Sequence, residues 1–132
     1  AMDWSNVVVM HSLLGFAIST LLVFRTNTAY DRWYEGRRLW GALTNNGRNL
    51  AIKLAHILEP DDEADRRFFR VMIPNFAFAL KNHLRSQFLS EEWEEVPEMP
   101  VGDINPDRHV PNYVACRIFG KLDELYKRGI IR

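Results

Sequence analysis

The sequence predicts an all-α protein in which one transmembrane helix continues into long cytosolic helices, and three observations carry that expectation. Between Asp3 and Arg25 the chain has no Asp, Glu, Lys or Arg. Residues 7–24 read VVVMHSLLGFAISTLLVF, long enough at about 1.5 Å per residue to cross a bilayer core. From Arg25 onward the character inverts, with 33 of the 34 charged residues there. Finally, apolar residues recur at intervals of three and four in three later segments, and no strand-like alternation of useful length occurs. The chain therefore divides into a membrane-spanning part, 1–27, and a cytosolic helical part, 28–132. The latter holds helices at about 29–58, 62–88 and 111–128 and a loop at 89–110.

The first helix is expected to begin near Trp4 or Ser5, with Asp3 or Ser5 as its cap and Trp4 at the lipid headgroup level. Thr26, Asn27 and Thr28 form a polar step without a stop signal, so the helix can run on into the cytosol. Over 29–58, Tyr30, Trp33, Leu39, Trp40, Leu43, Leu50, Leu54 and Ile57 recur at helical spacing. Gly36, Gly41 and Gly47 each cost up to about 1 kcal/mol relative to Ala in a helix, which predicts close packing or a bend there.

The turn Glu59-Pro60-Asp61-Asp62 ends that helix and caps the next. The second helix carries Phe68, Phe69, Met72, Ile73, Phe76, Ala79, Leu80 and Leu84 on its apolar side, with a kink expected at Pro74. Four prolines and an acidic bias mark 89–111 as loop or extended linker. The last helix starts with Pro111 near its first turn and places Tyr113, Val114, Ile118, Leu122, Leu125 and Tyr126 on one face. Gly129 is expected to end it.

Composition excludes several function classes. Lys plus Arg and Asp plus Glu are equal at 17, so no strongly basic surface argues for nucleic acid, and none is expected as a partner. Cys116 is the only cysteine, which rules out an intrachain disulfide and any Cys-based zinc pattern. The start AMDW lacks the basic region of a signal peptide. Arg25, Arg32, Arg37 and Arg38 directly follow the apolar run and, by the positive-inside rule, place the downstream body in the cytoplasm. No GxSxG, GxxxxGK[ST], GxGxxG or HExxH occurs, and the acidic pairs 61/62, 91/92 and 94/95 lie in turn or loop sequence. Enzymatic chemistry, a cofactor and a metal are not expected.

The apolar helix has two distinguishable stripes. Ser12, Gly15 and Ser19 are small and three and four apart, the pattern that lets membrane helices approach closely. Phe16, Thr20 and Phe24 follow at i, i+4 and i+8 on another stripe. From the residues alone, the two phenylalanines are expected to face lipid or to pack. His11 lies where an ionisable group is costly, its plain reading being a neutral imidazole near one interface. Arg25 closes the span, where it can snorkel to the headgroups or line a vestibule.

The stretch 11–54, HSLLGFAISTLLVFRTNTAYDRWYEGRRLWGALTNNGRNLAIKL, resembles the bacterial branch of the bestrophin family of ion channels. LLVFRTNTAYDRWYEGRRLWG is its most specific string. DRRFFRVMIPNFAFALKNHLR and KLDELYKRGII match more weakly but in the expected order, so the resemblance covers nearly the whole chain. It implies a homopentamer of long helices around one central pore, a multi-pass protein of the cell membrane. It further implies passive transport of inorganic ions, chloride by default and monovalent cations in some bacterial members, without chemistry. In that family the second transmembrane helix lines a narrow neck with three side chains one turn apart, which here are Phe16, Thr20 and Phe24. The resemblance so reverses their expected role from packing to pore. Position 20 is usually bulky and apolar in the family, and Thr20 would make the middle ring smaller and wetter. The Asp31-Arg32-Trp33 and Glu35-Gly36-Arg37 stretch is expected to supply packing and salt bridges below the neck. The family has further spans on both sides of this segment, so the chain is expected to be a central fragment of such a channel. A rival reading is a membrane-anchored helical interaction module that dimerises through Ser12, Gly15 and Ser19.

Overall fold

The computed structural model describes residues 4–87 and 89–131. They form three α-helices, α1 (Trp4–Ile57), α2 (Glu63–Leu84) and α3 (Val110–Lys127). Two short 3-10 turns, Ser90–Glu92 and Val101–Asp103, interrupt the α2–α3 connection. Among the described residues there is no strand, only an isolated bridge between Val96 and Met99. The fold is all-helical, as the periodicity predicts. The expected caps at Asp3 and Ser5 and the headgroup placement of Trp4 lie outside the described side chains. The chain divides into two compact units, Ala1–Ala42 and Leu43–Arg132.

The first unit is helix α1 up to Ala42. Its polar step does not stop the helix, because the hydroxyls of Thr26 and Thr28 donate to the carbonyls of Leu22 and Phe24, each at 2.9 Å. Back-bonding to the preceding turn satisfies the hydroxyl without competing for the helix's own amides. Tyr30 lies 5.8 Å from Trp33 and 6.4 Å from Tyr34 between ring centres, and the Arg37 guanidinium sits 5.6 Å over the Trp33 ring. These are neighbours one turn apart on a single helix. No ion pair forms among Asp31, Arg32, Glu35 and Arg37 in the described residues, although Arg32 and Glu35 are three apart, and the Arg37 guanidinium stacks on Trp33. Added Cβ atoms at Gly36 and Gly41 would meet nothing within 4 Å, so the close packing expected at these glycines is not supplied by this chain.

The second unit holds the core. Leu54 from the last turn of α1, Leu58 just after it, Phe68, Phe69, Val71, Met72 and Ala79 from α2, and Val110, Val114, Ile118 and Leu125 from α3 are buried together. Phe68 and Phe69 meet edge to face at 5.3 Å. Full burial of a side chain such as Met72 or Leu125 contributes about 1.5–3 kcal/mol. Gly47 has a partner here, since a Cβ at that position would lie 3.5 Å from Ile73 Cγ2. The connection 89–110 is not a solvated linker. Trp93, Val96, Met99 and Ile104 alternate with its acids and prolines and are buried against the helices. Asn75, buried on α2, holds this segment by donating from Nδ2 to Glu94 O at 2.8 Å and accepting from Glu94 N at 3.4 Å. Glu92, paired with Lys81, is held below the usual carboxylate range by that hydrogen-bonded ammonium.

The helix ends follow identifiable devices. Arg66 Nη1 reaches back from α2 to the carbonyls of Leu58 (2.8 Å) and Ala55 (3.1 Å), two acceptors left open at the end of α1. Helix α2 runs through Pro74, whose ring is on the exposed side. It stops at Leu84 rather than near 88 because Ser86 turns left-handed, with φ 52°. Gln87 N then donates to Asn82 O (3.0 Å) and Ser86 N to His83 O (3.1 Å), a Schellman pair. Helix α3 ends the same way at Gly129, φ 75°, with Ile130 N bonded to Leu125 O and Gly129 N to Tyr126 O. Its start is capped by His109, whose Nδ1 accepts from Asn112 N at 3.2 Å.

One charged cluster ties α2 to α3. Asp65, 6% exposed, receives Lys121 Nζ at 2.8 Å and Arg128 Nη1 at 2.7 Å. Burial alone would raise its pKa; the hydrogen bonds from Lys121 and Arg128 outweigh that and hold the carboxyl below its ordinary range. Lys121 is the mirror case, lowered by burial and raised overall by Asp65 and Glu124.

Candidate functional site

The apolar part of α1 presents its side chains outward. It is the one helix among the described residues that is long and apolar enough to cross a membrane, and none of its most apolar stretch is buried within the chain. Phe16 and Phe24 are 74% and 64% exposed, and Leu13, Leu21, Leu22 and Val23 are likewise uncovered. A surface this large and apolar calls for lipid or another protein surface over it.

Phe16, Thr20 and Phe24 lie along one row of the helix. Thr20 is half-buried between its neighbours, and its hydroxyl donates to Phe16 O at 2.8 Å. The proton is therefore engaged inside the helix, and the outward face of Thr20 is a methyl group and oxygen lone pairs. Thr28 continues the row with the same bond to Phe24 O, a regularity that the sequence reading passed over even though the i, i+4 spacing of Thr20, Phe24 and Thr28 carried its signal. Gly15 and Ser19 sit on a second row, about 100° around the helix, whereas Ser12, four residues before Phe16, lies one turn below the first row. Ser12 Oγ donates to Val8 O at 2.9 Å, and a Cβ at Gly15 would meet nothing within 4 Å. The Gly15/Ser19 row is smooth and open. His11 is exposed along the same helix, and Arg25, also exposed, has no ion-pair partner among the described residues. Phe16, Thr20 and Phe24 thus share one stripe, which Ser12 extends by a turn, while Gly15 and Ser19 lie on another. No group of His, Cys, Asp or Glu able to hold a metal ion occurs among the described residues.

Comparison with known proteins adds the family. The description Bacterial/Fungal Bestrophin protein matches residues 2–132. The chain belongs to the bestrophin family. A voltage-dependent anion channel-forming protein of Synechocystis sp. is 38% identical over 131 residues, covering 96% of this chain and 43% of the relative. A protein of the same description from Nostoc sp. is 39% identical over 100 residues, 69% of this chain and 32% of the relative. A third, from Escherichia coli, is 42% identical over 76 residues, 58% of this chain and 24% of the relative. The chain therefore spans less than half the length of these bestrophin relatives. No solved structure matches it significantly.

Proposed function

We propose that this chain is the pore-lining and adjoining cytosolic segment of a bestrophin-type channel subunit that passes anions, chloride foremost, down their gradient across the cell membrane. The observation that carries the reading is the row of exposed Phe16 and Phe24 on either side of half-buried Thr20, on the uncharged and uncovered first part of α1. The description of its relatives as anion channel-forming proteins supports it. Repeated by symmetry around an axis, the row gives two aromatic rings with a narrower-chained ring between them, a constriction able to gate by dewetting. Rows of i, i+4 residues run about 26° off the helix axis, so a helix tilted by that amount brings the row parallel to the pore axis and turns all three side chains toward it.

Charge favours anions. The rings carry no carboxylate, and Arg25, beyond Phe24 and without an acidic partner among the described residues, would gather anions in a vestibule at the end of the neck. The protein works by conduction, without a catalytic step. Residues after 27 are cytoplasmic in this reading, the subunit is multi-pass, and five copies close the pore. The smooth Gly15/Ser19 row then serves the contact with a neighbouring span.

Chemical crosslinking of the full-length protein in detergent tests the assembly. The expected ladder ends at five subunits. A ladder ending at two, lost on Gly15→Leu substitution, would instead favour a dimerising membrane anchor and contradict the pore.

A further inference from the structure

Helix α3 is capped by an imidazole: His109 Nδ1 accepts from Asn112 N at 3.2 Å. The usual caps, Ser, Thr, Asn and Asp, keep their accepting oxygen throughout the neutral range, whereas histidine changes charge there. A ring nitrogen accepts only while it carries no proton, so the cap fixes neutral His109 with its proton on Nε2. Protonation of Nδ1 turns the acceptor into a donor that faces the Asn112 N–H, and the bond is lost. The turn held by this bond carries Val110, Pro111 and Val114 into the core.

Two further features act in the same direction. His83, in the last turn of α2, stands with its ring centre 4.2 Å from that of His109, so two imidazolium ions at this place repel each other. The N-terminus of the 18-residue helix α3 is the positive end of its dipole, which also opposes a cation at the cap. The first turn of α3 contains no acid, and neither imidazole makes an ion pair among the described residues. The other charged groups around the two rings are Lys81 and Arg85 at the end of α2, Lys81 being engaged by Glu92, and Asp107 and Arg108 in the turn before α3. Both rings are exposed, so protons from solvent reach them.

We propose that His109, reinforced by His83, is a proton-sensitive latch on the start of α3. With the imidazole neutral, the cap is made and the first turn is closed. As pH falls through the histidine range the cap breaks, the two rings are driven apart, and the first turn opens. The sign follows from the acceptor: the contribution to stability is present while His109 is neutral and is lost as it takes up a proton. The latch lies in the second unit, and it does not depend on the channel reading.

Hydrogen–deuterium exchange of the full-length protein at about pH 8 and about pH 5, corrected for the intrinsic pH dependence of amide exchange, tests the proposal. Protection over residues 110–116 should be roughly fivefold lower at the acid end, the factor that a typical helix cap supplies. His109→Asn, a cap that does not titrate, should bring that ratio to about one. His56→Asn, which removes an exposed imidazole at the end of α1, should leave the ratio as in the wild type. Equal protection at the two pH values in the wild type would overturn the proposal. So would a loss that persists in His109→Asn, one that disappears in His56→Asn, or one that sets in only below about pH 4.5, where carboxylates titrate. His83→Phe keeps a ring against His109 without a charge and should shrink the loss without removing it; an unchanged loss would overturn the part assigned to His83.

Discussion

Replacing Phe16 and Phe24 together by alanine in the full-length protein should raise resting anion flux into liposomes on the order of tenfold or more, the change produced by removing about 1.4 kcal/mol of barrier. Each phenylalanine is 74% or 64% exposed on α1 and has no packing role within the chain, so its removal does not open a cavity in this fold. In a symmetric assembly the substitution deletes two phenyl rings per subunit from the constriction, widening it and letting water remain in it. Thr20→Val should act in the opposite sense and more weakly. It keeps the shape but replaces the hydroxyl, already bonded to Phe16 O, by a methyl, which dries the middle ring. Flux that is unaffected by the double substitution, in protein that still assembles, would remove these residues from the pore.

The second large effect concerns stability. Asp65→Ala should destabilise the helical unit by about 3 kcal/mol, because it strands Lys121 and Arg128 beside a buried, now uncharged position. The discount from the full cost of a buried charge reflects Arg128, which is partly exposed and keeps Glu124 within 3.6 Å. Thermal melting of the purified protein checks this. The same cluster predicts a pH dependence. The folded-state pKa of Asp65 lies below its unfolded value of about 3.9, so its stabilising contribution is complete above that pH and is lost as pH falls through the folded value. Melting temperature should therefore drop below about pH 4, and Asp65→Asn should start lower and lose this part of the drop. A wild-type profile flat through that range would contradict the assignment.

Most of the helical architecture was legible because amphipathic spacing is a local signal. The positions expected to be apolar on α2 and α3 include Phe68, Phe69, Met72, Ala79, Val114, Ile118 and Leu125, all buried. What was not legible depends on distant partners. Asp65 reads as a solvated acid in a first helical turn, and only the approach of Lys121 and Arg128 makes it a buried ion-pair centre. The acidic, proline-rich stretch after α2 reads as linker because its buried residues, Trp93, Val96, Met99 and Ile104, are spaced irregularly and match neither helical nor strand period. Ser86 in a left-handed turn, which stops α2 short of its predicted end, and His109 as the cap of α3 are residue types uncommon in those roles. On α1 the division into two stripes follows from spacing alone. Nothing in the spacing said which stripe faces ions, and that choice came from the family resemblance.

Single-channel recording of the full-length protein in a planar bilayer under a chloride gradient tests the central claim most directly. The predicted result is unitary current that reverses near the chloride equilibrium potential. No unitary current, or reversal at the potential of the accompanying cation, would contradict it.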